Sequence, residues 1–219
     1  VTWASRGMGQ EIVKIAEKKG QKEYSILRNI KAREDYSFKY PRQVDLANED
    51  SIDKFSSEIK NDGVKVDALI NNAGAFLNKP FEKISKKEFE YIFQVNVFGL
   101  SSITRKVLPI IDSKGHIVNI TSMGGINGTT KFPGLTAYSS SKGAVNILTE
   151  LLAEEYKESG PSFNALAFGA VQTEMLEEAF PGLKAPISAK GIADFVLDFS
   201  LNGQKYFNGK IIPVSSTTP

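Results

Sequence analysis

The stretch Ala137-Tyr138-Ser139-Ser140-Ser141-Lys142 sets a phenol and an ammonium four residues apart, in a segment that reads as the start of a helix. Residues at i and i+4 share one helix face, so the two heads converge. A free tyrosine, with a pKa near about 10, is a poor proton shuttle at neutral pH. A fixed positive charge beside it favours the phenolate. The spacing therefore predicts a lowered tyrosine pKa and an acid/base poised near the working pH. A shift of about 3 units corresponds to about 4 kcal/mol of differential stabilisation.

A second constellation opens the chain, in Thr2-Trp3-Ala4-Ser5-Arg6-Gly7-Met8-Gly9. A glycine-rich turn between a strand and a helix brings backbone N–H groups up to a pyrophosphate, and Gly7 and Gly9 fit that role. About 20 residues further on, an acid would accept hydrogen bonds from a free ribose 2′-hydroxyl. This chain has Arg28 there, and Arg6 inside the turn. Two guanidinium groups suit a 2′-phosphate by charge and by forked hydrogen bonds. The pattern predicts NADP(H) in preference to NAD(H), with NAD(H) possible. The alternative for Arg28 is an exposed strand-end residue.

These residues need a frame that holds them at one edge. Apolar, β-branched runs alternate with helical patterns along the chain, the mark of a parallel sheet covered on both faces. Strands are predicted at 24–28, 43–46, 66–70, 116–120, 162–167 and 210–214. Helices are predicted at 9–19, 51–60, 85–111, 137–157 and 189–201. The stretch from Asn29 through Pro41 is polar and irregular. Residues 173–188 read as a lid of short helical pieces over the substrate. Ser85 with Glu88 three residues on is a capping-box pattern, and Pro109 ends or kinks its helix. Only Val1 and Thr2 precede the glycine-rich turn, whereas a feeding strand has about 5 residues. The first strand thus reads as truncated. With no repeat or linker, residues 1–219 form one α/β domain, a doubly wound, Rossmann-like parallel sheet, whose ligands bind at the carboxyl ends of the strands.

Further motifs follow in order: Asn71-Asn72-Ala73-Gly74 after an apolar run, Asn96 in Gln94-Val95-Asn96-Val97, and Ser122 at the end of Ile117-Val118-Asn119-Ile120-Thr121. With the opening turn and the Tyr138–Lys142 pair, this ordered set resembles the short-chain dehydrogenase/reductase family over nearly the whole chain. The resemblance implies reversible hydride transfer between a nicotinamide cofactor and a carbonyl. Tyr138 would act as acid/base, Lys142 would tune it and bind the nicotinamide ribose, and Ser122 would polarise the substrate oxygen. Asn96 would hold a water that links the lysine to solvent. Asn is a poor choice in mid-helix, so a kink or a bound water would explain it. Ser5, Arg6, Gly7, Met8 and Gly9 would line the cofactor, with Asp45 and Leu46 at the adenine and Asn72, Ala73 and Gly74 on the adenosine side. Gly169, Val171 and Thr173 would meet the nicotinamide. Simple turn capping is the other reading of Ser122 and Asn72.

The chain departs from the family pattern at Trp3, where the family has glycine, and at Phe168, where it has proline. An indole at Trp3 would strain the turn, occupy cofactor volume, or swing outward. Substrate contacts are expected from Ser122, Met123, Phe132 and Met175, with Phe76, Leu176 and Phe180 as further apolar candidates. Together they suit a small carbonyl or alcohol with an apolar part. The helices at 85–111 and 137–157 would pair copies into a homodimer or homotetramer. The leading reading is an NADPH-dependent carbonyl reductase. The alternative is a non-catalytic dinucleotide-binding regulatory protein of the same fold.

Composition narrows the field further. The 27 Lys and Arg against 25 Asp and Glu leave a formal charge of +2, with no basic block suited to nucleic acid. The chain has no cysteine, which excludes disulfides, thiolate nucleophiles and Cys-ligated zinc; no metal site is expected. A cytoplasmic, membrane-free protein is the expectation, since no apolar run of about 18 residues is present.

Overall fold

The computed structural model describes residues 1–30 and 38–216. Most of the irregular stretch expected after Asn29 lies outside them. Strands β1 (Ser25–Leu27) and β2 (Pro41–Gln43) pair in parallel. Strands β3 (Val66–Asn71), β4 (Ile111–Ser122), β5 (Ser162–Phe168) and a C-terminal strand, Lys210–Val214, form a parallel sheet in that order. Residues 1–4 join the two sets. Thr2 N–H donates to Ile70 O at 3.0 Å, Ala4 N–H to Ile26 O at 3.1 Å, and Ile26 N–H to Val1 O at 2.9 Å. The segment that reads as a truncated strand is therefore the centre of the sheet. Chain order runs outward from it in both directions, which opens a crevice at the carboxyl edge.

Period-two alternation builds the two faces. Leu69 and Ile117 point into one apolar cluster, while the adjacent Ile70 and Val118 point into the other. Helices α1 (Gly7–Lys18) and, near the C-terminus, Ala189–Asn202 cover the second face through Ile12, Ala16, Ala193 and Val196. Helix α2 (Glu49–Asn61) covers the first with Ile52, Phe55 and Ile59, exactly one face of its turn pattern. The capping box at Ser85 and Glu88 forms as the spacing predicts and starts α3 (Lys86–Phe93).

The helix expected over 85–111 is not continuous. α3 passes into a π-helical turn, Gln94–Gly99, then α4 (Leu100–Val107), and a 3-10 turn around Pro109 ends it; Ile111 already belongs to β4. The third strand is also displaced, from 43–46 to Pro41–Gln43, with Val44 N–H still bonded to Leu27 O at 2.8 Å. Helix α5 (Thr136–Glu155) matches its expectation within a turn. After β5 the lid region carries β6 (Val171–Gln172), α6 (Glu174–Ala179) and β7 (Ile187–Ser188); the helix Ala189–Asn202 is α7 and the strand Lys210–Val214 is β8. The result is one α/β domain of three layers.

Candidate active site

The glycine-rich turn is fixed to the sheet by its neighbours. Thr2 Oγ1 accepts from Ala73 N–H at 2.9 Å, and Asn72 Nδ2 donates to Thr2 O at 3.1 Å and Trp3 O at 3.4 Å. Gly7 takes a left-handed φ of 57°. At Gly9 a Cβ would lie 2.5 Å from Asn72 Nδ2 and 2.6 Å from Trp3 O, so only glycine lets helix α1 start this close to the turn. Met8 is buried in the core under α7, leaving Ser5 and Arg6 at the surface of the turn. The Arg6 guanidinium is engaged by the lid: it donates to both carboxylate oxygens of Glu178, one at 3.1 Å. The lid thus lies across the turn, with Thr173 and Glu174 beside Gly7. A cleft of about 510 Å³ runs between them, lined by Gly7, Thr173, Glu174, Glu177 and Lys190.

The other end of the crevice lies beyond β1 and β2. Arg28 follows β1, donates to the Tyr91 hydroxyl at 3.2 Å, and sits 5.6 Å from the centre of the Trp3 ring. Asp45 turns its carboxylate onto its own loop, accepting from Ala47 N–H at 2.9 Å. Trp3, Arg28, Asp45, Leu46 and Ala73 enclose a cavity of only about 20 Å³. Trp3 itself has φ 55°, the one left-handed residue other than glycine among those described. For a bulky side chain that conformation costs about 1–3 kcal/mol and persists only where surroundings enforce it.

The reacting end is built by α5, β4 and the π turn. Asn96, fully buried, clamps the backbone of Ala75: its Oδ1 accepts from Ala75 N–H at 2.7 Å, and its Nδ2 donates to Ala75 O at 3.0 Å. The same Nδ2 donates to Ser141 Oγ at 2.9 Å, and that hydroxyl donates to Tyr138 O at 2.7 Å. The poor fit of Asn in a helix thus coincides with a π turn, a wound-out ring that aims its amide at neighbouring backbone. Lys142 is 2 % exposed and donates to Ile120 O at 2.8 Å. Its Nζ lies 5.8 Å from the centre of the Tyr138 ring, so the pair shares one helix face as its spacing predicts. Gly74 is next to this ammonium: a Cβ there would come within 3.2 Å of Nζ.

The electrostatic expectation is reversed. Burial pushes the Tyr138 phenol up to about 12, and the nearby Ser122 hydroxyl pulls the other way. Burial pushes the Lys142 ammonium down to about 8. Lys142 is removed from water and Tyr138 is half-buried, and desolvation is the largest influence on each. The ring of Phe76 packs on Tyr138 at 4.8 Å, and Phe180, at the end of the lid helix, meets Phe76 at 6.2 Å. An apolar wall therefore closes over the phenol.

The remaining candidates spread along the same edge. Ser122 ends β4 and its hydroxyl accepts from Gly124 N–H at 3.2 Å; the neighbouring Met123 is buried. Gly169 N–H donates to Val214 O at 3.1 Å, Val171 opens β6, and Thr173 caps α6 by accepting from Leu176 N–H at 3.2 Å. Met175 and Leu176 are half-buried on the lid, whereas Phe132 lies exposed on the loop before α5. Three residues of the site escaped the sequence reading: Ser141, Tyr91 and Glu178. Ser141 carried a signal, a hydroxyl lying between Tyr138 and Lys142. The contacts of Tyr91 and Glu178 are long-range and left none. Among the described residues no cluster of three His, Cys, Asp or Glu side chains could hold a metal ion. No helix among them is long and apolar enough to cross a membrane.

Comparison with known proteins bears on the family and the fold. A family model described as short chain dehydrogenase matches residues 1–184. Cyclopentanol dehydrogenase of Comamonas sp. is 33% identical over 151 residues, covering 68% of this chain and 58% of the relative, so the match spans little more than half of that enzyme. The 3-oxoacyl-(acyl-carrier-protein) reductase of Staphylococcus epidermidis is 28% identical over 98% of this chain and 96% of the relative. Among solved structures, a 4-hydroxyisoleucine dehydrogenase mutant complexed with NADH and succinate superposes with a TM-score of 0.88 at 23% identity, covering 100% of this chain and 98% of that one. The ligand-free aldohexose dehydrogenase of Thermoplasma acidophilum gives 0.86 at 22% identity, covering 98% and 90%. The last two likenesses concern the fold.

Proposed function

The chain belongs to the short-chain dehydrogenase family, and from that footing we propose an NADP(H)-dependent oxidoreductase that interconverts a ketone or aldehyde and an alcohol. One observation carries this reading: Tyr138, with the Ser122 hydroxyl close enough to act on its phenol, stands with Lys142 on one helix face beside the rings of Phe76 and Phe180. A bound nicotinamide dinucleotide supplies or accepts the hydride. Tyr138 handles the proton. With its pKa raised by burial, Tyr138 is protonated at neutral pH, the form that donates to a carbonyl oxygen; accepting a proton from an alcohol would need the phenolate, which this burial disfavours. Ser122 adds a second hydroxyl at that oxygen as charge develops. Lys142, kept close by Ile120 O, places its positive charge behind the phenol. Asn96 holds the Ala75 backbone next to this lysine. A water between Asn96 and Lys142 would complete the proton route.

The cofactor's pyrophosphate is assigned to Gly7 and Gly9, with Ser5 and Met8 completing the turn. Arg28 and Arg6 are assigned to the 2′-phosphate, for which Arg6 must leave Glu178. Asp45 and Leu46 take the adenine side, Asn72, Ala73 and Gly74 the adenosine side, Lys142 the nicotinamide ribose, and Gly169, Val171 and Thr173 the carboxamide. Met123, Phe132 and Met175, on a lid spanning about 173–188 and the facing loop, complete a substrate pocket suited to an apolar carbonyl compound. Phe98, Ile147 and Leu151 are exposed around α4 and α5, which favours pairing into a homodimer or homotetramer through those helices. We place the protein in the cytoplasm.

The test is NADPH oxidation against a panel of ketones and aldehydes. Tyr138→Phe should lower turnover about 10²–10⁴-fold, the usual worth of a positioned acid, and leave dinucleotide affinity unchanged. Wild-type rates in that variant would refute the assignment. A second reading, a dinucleotide-binding protein without catalysis, draws its support from Trp3 in the crevice. Dinucleotide binding without turnover on the whole panel would select it.

A further inference from the structure

The crevice where the adenosine half of a dinucleotide belongs is nearly full. It lies where chain order reverses in the sheet, at the carboxyl ends of β1 and β2, and Arg28 stands at its rim in the position that reads the ribose. Yet the space bounded by Trp3, Arg28, Asp45, Leu46 and Ala73 is about 20 Å³, enough for a single water and far too little for a purine. The indole is what closes it. Trp3 packs against the cluster of Val44, Leu46 and Ala73 on one side and that of Ile92 and Val95 on the other. Its left-handed φ of 55° throws the side chain off the sheet edge and over this gap, with the Arg28 guanidinium resting 5.6 Å from the ring centre. The indole is only half-buried, so a path outward exists.

We propose that Trp3 is a plug in the adenosine subsite: it competes with the adenosine half of the dinucleotide and must swing out before that half can dock. This deepens the function proposed above and rests on it. The plug sets cofactor selectivity as well as affinity. It penalises any ligand carrying an adenosine and leaves a mononucleotide untouched, because Gly7, Gly9 and the nicotinamide-end residues do not line the space that the indole fills. It also occupies Arg28, which becomes available to a 2′-phosphate only after the indole leaves the guanidinium.

Trp3 is the only tryptophan in the chain, so its fluorescence reports the plug directly. Titrating the wild-type protein with 2′-phospho-ADP-ribose, which lacks the nicotinamide and its absorbance, should shift emission to the red and raise acrylamide quenching as the ring enters solvent. Trp3→Gly, with a residue at ease in left-handed backbone, should bind 2′-phospho-ADP-ribose and NADP⁺ at least tenfold more tightly by calorimetry. Its affinity for nicotinamide mononucleotide should be unchanged. Equal affinity of wild type and Trp3→Gly for the adenosine ligands, or tightening that extends equally to the mononucleotide, would overturn the plug while leaving the oxidoreductase reading intact. Failure of both chains to bind any dinucleotide would overturn that reading and the plug with it. If Trp3→Gly does not fold, the wild-type titration decides: binding with an unchanged emission and quenching constant refutes the plug.

Discussion

Replacing Lys142 with methionine should make the protein more stable and abolish turnover. The ammonium is 2 % exposed, and among the described residues its hydrogen bond is to Ile120 O. Burial lowers its pKa from 10.5 to about 8. At about 1.4 kcal/mol per unit, holding that charge in the folded protein costs about 3 kcal/mol. The sign follows from proton linkage. Below about pH 8 the folded and unfolded lysines are both charged, and the fold carries the whole penalty. Between about 8 and 10.5 the folded lysine releases its proton first, so wild-type stability rises with pH; above that window both are neutral and the penalty is gone. Methionine is an apolar near-isostere of the stem, so Lys142→Met should gain about 3 kcal/mol at pH 7, or roughly 6–12 °C in Tm for a domain of this size. Urea unfolding of both proteins at pH 7, 8, 9 and 10.5 measures it, with the gap narrowing to near zero at the last. A variant less stable than wild type at pH 7, or a gap that does not close, would show that the ammonium is better solvated than its burial implies.

Other outcomes follow from the same kind of reasoning. The single histidine, His116, is buried at the β4–β5 junction, and burial lowers its pKa to about 4. Asn164 Oδ1 is taken by Lys210 N–H at 2.9 Å, so its amide donates to the ring Nε2, 2.8 Å away, and holds the neutral form. Wild type should lose about 3 kcal/mol more than His116→Gln as pH falls from 6.5 to 4, because only the unfolded histidine takes up a proton there; parallel curves would contradict this. Asn96→Ala strands a buried backbone N–H and C=O at Ala75 and should cost about 2–6 kcal/mol by urea unfolding, at about 1–3 per orphaned group. A loss under about 1 kcal/mol would mean that water replaces the amide. Arg28→Ala should weaken NADPH relative to NADH, seen as a change in the ratio of the two dissociation constants; an unchanged ratio would remove Arg28 from selectivity.

The sequence by itself determined the frame. Alternating apolar runs and helical patterns placed nearly every strand and helix, since period two and period 3.6 are local properties of the backbone. The capping box at Ser85 formed because its two partners are three residues apart. Tyr138 and Lys142 share a face because helix geometry permits nothing else at that spacing. The oddness of Asn96 was legible too, as a residue that poorly suits the helix it interrupts. Tertiary structure alone decided the electrostatics and the contacts between distant segments. Whether the lysine lowers the phenol's pKa depends on how much water reaches either head. That is set by β4, the π turn and the lid wall closing around them, and the balance came out opposite to the local expectation. The tie from Arg6 to Glu178 spans 172 residues, and the meeting of Trp3 with Arg28 requires the central strand to lie against β1. Spacing along a chain specifies direction within one element; only the packed sheet and its covering layers specify distance and solvent between elements.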